Sequence, residues 1–133
     1  MTAVPRKKVL VVDDSHDILD LLEVFLYGTY EVSTALNGFE GLRAAREGAP
    51  DLVITDIMMP VVDGIKLLSS LREDAATARI PVIAITSFIK KANIKSLLSL
   101  GFSTVITKPF DREAIVGAVA KTLSERGAAS GET

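Results

Sequence analysis

Five times in 133 residues a short, β-branched, apolar run is followed by a stretch with helical spacing. The runs are VLVV (Val9–Val12), EVSTA (Glu31–Ala35), LVIT (Leu52–Thr55), VIAI (Val82–Ile85) and TVI (Thr104–Ile106). Continuously apolar runs of this length suit strands covered on both faces, as in parallel sheets. The second run is more polar and reads as an edge strand. Helical segments fill the intervals. The first follows Ser15, an N-cap residue, carries Ile18, Leu19, Leu22, Val24, Phe25 and Leu26, and stops at Gly28. The second starts after Asn37 and ends near Gly48, and the third covers about Ile65 to Arg72. The fourth runs from about Lys90 to Leu100, and the fifth follows Asp111 through Ile115, Val119 and Leu123. Repetition of this kind means βαβ units with right-handed crossovers, so an α/β, doubly wound fold is expected.

The length suits one domain, assigned to residues 1–126. GAASGET (Gly127–Thr133) reads as a flexible tail or the start of a linker. A net charge of −2 argues against a nucleic-acid binder held by gross electrostatics. With no cysteine and His16 as the one histidine, disulfides, thiol nucleophiles and Cys-based zinc sites are excluded. No apolar run approaches the roughly 20 residues that span a bilayer, and MTAVPRKK lacks the apolar segment of a signal peptide. A cytoplasmic location is expected.

In open α/β sheets, ligands bind outside the carboxyl ends of the strands. The first run delivers Asp13 and Asp14 there, and the third delivers Asp56. The fourth delivers Thr86 and Ser87, and the fifth delivers Thr107 and then Lys108 before Pro109. Each has a structural alternative: a helix N-cap for Asp14, a turn for Asp56, a strand-end hydroxyl for Thr86, a solvated lysine for Lys108. Their convergence on one rim is what these alternatives leave unexplained. Two carboxylates 4 Å apart repel by about 1 kcal/mol in water and about 4 kcal/mol at a protein surface. Against a total stability of roughly 5–15 kcal/mol, three of them need compensation. Lys108 supplies one positive charge. A hard divalent cation, magnesium, suits the remaining oxygens, which makes Asp13, Asp14 and Asp56 the expected metal ligands.

The pair Asp13-Asp14, the stretch DIMMPVVDG (Asp56–Gly64), Thr86-Ser87 and KPF (Lys108–Phe110) together resemble the receiver domain of two-component response regulators. The likeness covers about Lys7 to Arg126, in the family's order and spacing. It implies a flavodoxin-like (βα)5 fold with a five-stranded parallel sheet of order 2-1-3-4-5. It also implies that Asp56 accepts a phosphoryl group from phosphohistidine on a histidine kinase or a histidine phosphotransfer protein. By the same resemblance the Met58 backbone carbonyl joins the three acids around Mg2+. Lys108, the Thr86 hydroxyl and the Ser87 backbone N–H then contact phosphate oxygens. Such a chain is not an enzyme acting on a separate substrate, but a phosphoacceptor that assists its own Mg-dependent phosphorylation and dephosphorylation. Met59, Pro60, Asp63 and Gly64 shape the loop, with Gly64 expected to supply an unusual backbone angle. Pro109 stands where the family often has a cis bond.

The implied readout is a protein-interaction face on the fourth helix, fifth strand and fifth helix, carrying Lys90, Lys91, Lys95 and Arg112. Its partner is a downstream effector protein. Neither nucleic acid nor membrane is expected to bind directly, and the chain is expected to be a monomer or a weak phosphorylation-dependent dimer. Two departures stand out. Val105 occupies the place of the family's strand-five aromatic residue, with Phe88 or Phe102 as possible substitutes, and Ser87 replaces the usual Ala. Val105 keeps open a second reading, a pseudo-receiver that binds partners without phosphorylation. A haloacid-dehalogenase-type phosphatase needs an acid two places after the nucleophile, where Met58 stands. A dinucleotide-binding module needs a glycine-rich first turn, which DDSHD lacks.

Overall fold

The computed structural model describes residues 5–87 and 91–131. The apolar runs form β1 (Lys8–Val12), β2 (Glu31–Ala35), β3 (Leu52–Asp56), β4 (Val82–Thr86) and β5 (Thr104–Thr107). The helices are α1 (His16–Leu26), α2 (Gly38–Gly48), α3 (Gly64–Glu73), α4 (Lys91–Leu100) and α5 (Arg112–Gly131). All neighbouring strands are parallel, in the order β2-β1-β3-β4-β5. The polar second run is indeed an edge strand.

Alternation along the strands divides the core in two. Leu10, Val12, Val53, Val82 and Ala84 point to one face, where Leu67 and Leu71 of α3 and Leu97 of α4 cover them. Val9, Val11, Ile54, Ile83 and Ile85 point to the other, under Leu22 and Leu26 of α1 and Ile115 and Val119 of α5. Every residue of β3 and β4 is buried, which is why their sequences show no polar alternation. Each buried Val, Leu or Ile contributes about 1.5–3 kcal/mol. Two such layers allow the rim to hold several kcal/mol of charge repulsion without unfolding.

Helix starts follow their caps. Ser15 Oγ accepts from Ile18 N (3.4 Å), Asn37 Oδ1 from Glu40 N (2.8 Å), Asp63 Oδ1 from Lys66 N (2.8 Å) and Asp111 Oδ1 from Ala114 N (2.8 Å). Because Ser15 caps α1, Asp14 is left out of the cap. After α1, Gly28 takes φ 85°, a left-handed conformation that suits glycine. At the other end of the chain α5 continues past Arg126 to Gly131, so the expected tail enters the helix. Ala128 and Ala129, strong helix formers, extend a helix already nucleated. Among the described residues no helix is long and apolar enough to cross a membrane.

The register sets the strand ends level. Val12 pairs with both Ala35 and Thr55, Asp56 with Ile85, and Thr86 with Thr107. What leaves β1, β3, β4 and β5 therefore emerges on one rim.

Candidate functional site

On that rim the side chains of Asp13, Asp14 and Asp56 gather, each offering a carboxylate oxygen within 4.8 Å of the other two. Asp13 and Asp56 are buried, at 1% and 5% exposure, whereas Asp14 faces solvent. Lys108, arriving from β5, donates to Asp13 Oδ2 at 3.1 Å and to Asp56 Oδ2 at 3.2 Å. Its backbone N–H donates to the Thr86 carbonyl (2.8 Å), and the Lys108–Pro109 peptide bond is cis.

The second carboxylate oxygens are held by backbone. Asp13 Oδ1 accepts from Ser15 N at 2.9 Å, and Asp56 Oδ1 accepts from Met58 N at 3.2 Å. These donors orient the acids from within their own loops. Ser15 thus has two roles, helix cap and carboxylate donor, and the second was not legible because it depends on the turn after β1. A further donor, the Thr55 hydroxyl, reaches the Asp56 carbonyl oxygen at 2.9 Å from a fully buried position.

Burial drives the electrostatics. It pushes the Asp13 carboxyl above its ordinary pKa; the Ser15 N–H opposes this, the Asp56 charge adds to it, and Lys108 opposes it again. For Lys108, burial favours the neutral amine, but attraction to Asp13 and Asp56 and the hydrogen bonds to both outweigh it, so its pKa rises. The bridge between them therefore looks favourable from one end and insufficient from the other. The reason is composition: Lys108 meets two carboxylates, while Asp13 meets one ammonium, one carboxylate and nearly complete burial. The pocket as it stands is short of positive charge.

Thr86 ends β4 as a buried residue, and Ser87 follows it, exposed. The Met58 side chain is largely exposed. Gly64 differs from expectation. Its backbone is not in the left-handed region that favours glycine; what excludes a side chain is space, since a Cβ there would lie 2.5 Å from the Asp56 carbonyl oxygen. Val105 is half-buried and packs on the core face with Leu97 and Phe102. Phe102 is a core residue at 3% exposure. Of the expected readout residues, Lys95 and Arg112 are exposed. Lys91 begins α4, and Lys90, like Phe88, lies outside the described residues.

The description "response regulator receiver domain" fits residues 9–120 as a family. The chain belongs to that family, the receiver domains of two-component signalling. It is 38% identical over 128 residues to the transcriptional regulatory protein PrrA of Mycobacterium leprae, covering 96% of this chain and 54% of that protein. The chain thus spans about half the length of the PrrA regulators it matches. It is 37% identical over 119 residues to the chemotaxis protein CheY of Halobacterium salinarum, covering 89% of this chain and 98% of that one. Among solved structures, the chemotaxis protein CheY4 of Vibrio cholerae aligns with a TM-score of 0.78 at 30% identity, covering 90% and 98% of the two chains. A receiver-domain structure from Vibrio parahaemolyticus aligns with a TM-score of 0.87, covering 94% and 95%; at 21% identity it speaks to the fold alone.

Proposed function

We propose that this receiver domain is an active phosphoacceptor, with Asp56 as the residue modified. One observation carries the reading: Asp56, buried at the end of β3, points an oxygen at Lys108 Nζ (3.2 Å) while Asp13 and Asp14 converge beside it. An Asp56 carboxylate oxygen attacks the phosphorus of a phosphohistidine on a histidine kinase or phosphotransfer protein. The P–N bond breaks, its electrons return to the imidazole, and an aspartyl phosphate forms. Lys108 shifts part of its contact from the Asp56 oxygen to a phosphate oxygen, while the Thr86 hydroxyl and Ser87 N–H donate to others. The chain assists this transfer and the later hydrolysis, in which water takes the phosphoryl group from Asp56 and inorganic phosphate leaves; it turns over no separate substrate.

The donor set fits Mg2+. It is oxygen-only, it contains three carboxylates within reach of one another, and one of them is open to solvent, which suits an ion that keeps several waters. Asp13, Asp14, Asp56 and the Met58 carbonyl would hold it, and when bound it offsets negative charge on the transferring group. Phosphorylation then biases Thr86 and the face of α4, β5 and α5 toward an effector protein in the cytoplasm. The PrrA and CheY relatives support a signalling partner of this kind.

Val105 favours the second reading, in which the domain binds partners without phosphorylation. Incubation with acetyl phosphate and Mg2+, followed by intact-mass measurement, separates the two. A gain of one phosphate that disappears in Asp56→Asn supports the phosphoacceptor; no gain in the wild type supports the pseudo-receiver.

A further inference from the structure

A concavity of about 540 Å³ opens between α1 and α2 at the C-terminal end of the edge strand β2 and includes neither Asp56 nor Lys108. Its floor is β2. In a parallel pair, alternate residues direct both backbone groups to the same side. Glu31 N donates to Lys7 O (2.9 Å) and Ala35 O accepts from Asp13 N (3.1 Å), so Glu31, Ser33 and Ala35 face β1. Val32 and Thr34 consequently turn their N–H and C=O groups away from the sheet, toward the open edge.

The helices α1 and α2 form the walls. Asp20 and Glu23 line the groove from α1, and Glu40 and Glu47 line it from α2. The guanidinium in the groove, Arg43, is already engaged by Glu47 Oε1 at 3.1 Å. The carboxylates of Asp20, Glu23, Glu40 and Glu47 thus outnumber the one guanidinium, Arg43, by three. Leu19, Leu36 and Ala44 give it an apolar part of the lining. An open edge between acidic walls repels an acidic strand and attracts a basic one, so the same charges guard the edge and select its occupant.

We propose that this groove binds an extended basic segment of a partner protein, which adds to β2 as a further strand. Its backbone pairs with Thr34 in the groove and continues beyond it to Val32. Its side chains alternate between the walls, and lysine or arginine at every second position meets Asp20 and Glu23. The interaction stands apart from phosphorylation at Asp56.

The test is fluorescence anisotropy with the full chain and a labelled octapeptide, Lys-Thr-Lys-Val-Lys-Thr-Lys-Val. Saturable binding is expected, and raising NaCl from about 50 to about 300 mM weakens it. The double variant Asp20→Asn/Glu23→Gln, which replaces carboxylates with amides of the same shape, weakens binding by about fivefold or more. Asp56→Asn leaves it unchanged. A peptide of equal charge with N-methylated backbone amides loses the strand pairing and binds poorly, and amide exchange at Val32 and Thr34 slows only with the unmodified peptide. Equal binding by the N-methylated peptide, equal binding by the double variant, or no binding at all overturns the proposal.

Discussion

A Cβ on Gly64 would stand 2.5 Å from the carbonyl oxygen of Asp56 and 2.9 Å from Cα of Ile57. The start of α3 therefore rests directly on the backbone that carries Asp56, and the Gly64 N–H donates to Ile57 O at 3.0 Å. Neither obstacle is the end of a flexible side chain, so the backbone itself must shift to admit a methyl group. Gly64→Ala is expected to lower stability by about 1–3 kcal/mol, the usual range for overpacking. It should also slow labelling of Asp56 by acetyl phosphate, because the displaced segment is the one that aims the carboxylate. Urea unfolding and intact-mass kinetics check the two effects; a variant with wild-type values in both would show that the loop yields freely.

Much of this was legible in the sequence because it depends on local period and strand ends. Apolar runs at regular intervals gave five strands and the helices between them. Side-chain caps at Ser15 and Asp111 lie three residues from their donors, well within the reach of a local pattern, whereas Asp63, expected only to shape the loop, also caps α3. The gathering of Asp13, Asp14 and Asp56 followed from the rule that strands of a parallel sheet end on one rim. Legibility failed where two segments press together. The reason for Gly64 lies in its closeness to Asp56, a distance that no one-residue propensity encodes. The Ser15 N–H on Asp13 depends instead on the turn after β1, and the length of α5 is a local matter in which two alanines outweigh glycine and serine. The groove beside β2 needed the positions of both flanking helices before its charges could be seen as one lining.

The pocket's shortage of positive charge makes Asp13 a liability when metal is removed. Its folded pKa is raised above the ordinary 3.8, chiefly by burial. Across that interval the folded protein holds a proton that the unfolded chain has released, so this group's effect on stability worsens as pH rises through the folded value. The penalty therefore grows as the pH is raised above 3.8. Asp13→Asn is therefore expected to raise the urea midpoint in EDTA at pH 7, with the gain shrinking as the pH is lowered toward 3.8. Addition of Mg2+ should stabilise the wild type more than the variant. A variant less stable than wild type at pH 7 in EDTA would mean that the bond to Lys108 outweighs burial.

Asp14 provides the contrast, since it shares the cluster but faces solvent. It makes no cap and pays no desolvation comparable to that of Asp13. Asp14→Asn is expected to leave metal-free stability within about 0.5 kcal/mol of wild type, as exposed substitutions usually do. Its effect should fall on the cation instead, with Mg2+ affinity by titration calorimetry reduced by about tenfold or more, the loss of one carboxylate ligand being worth over about 1.4 kcal/mol. Unchanged affinity would remove Asp14 from the ligand set and leave the two buried acids to hold the metal.

Val61 sits five residues after Asp56 with φ 64°, although it is β-branched. Val62 N donates to Pro60 O at 2.7 Å, which closes a three-residue turn around it. Valine is disfavoured in this region because its two γ-methyls crowd the flanking carbonyls, and residues held there cost about 1–3 kcal/mol. The side chain recovers none of this by packing, being 94% exposed. Glycine adopts the same angle freely, but loses more backbone entropy on folding, which returns roughly 1 kcal/mol or less of the gain. Val61→Gly is accordingly expected to raise stability by about 1 kcal/mol, read as a higher urea midpoint with an unchanged denaturant slope. Val61→Ala separates the two contributions: it keeps a Cβ in the strained region but sheds the branch, and should fall between wild type and Val61→Gly. A lower midpoint for Val61→Gly would show that the turn keeps its shape through the valine rather than in spite of it.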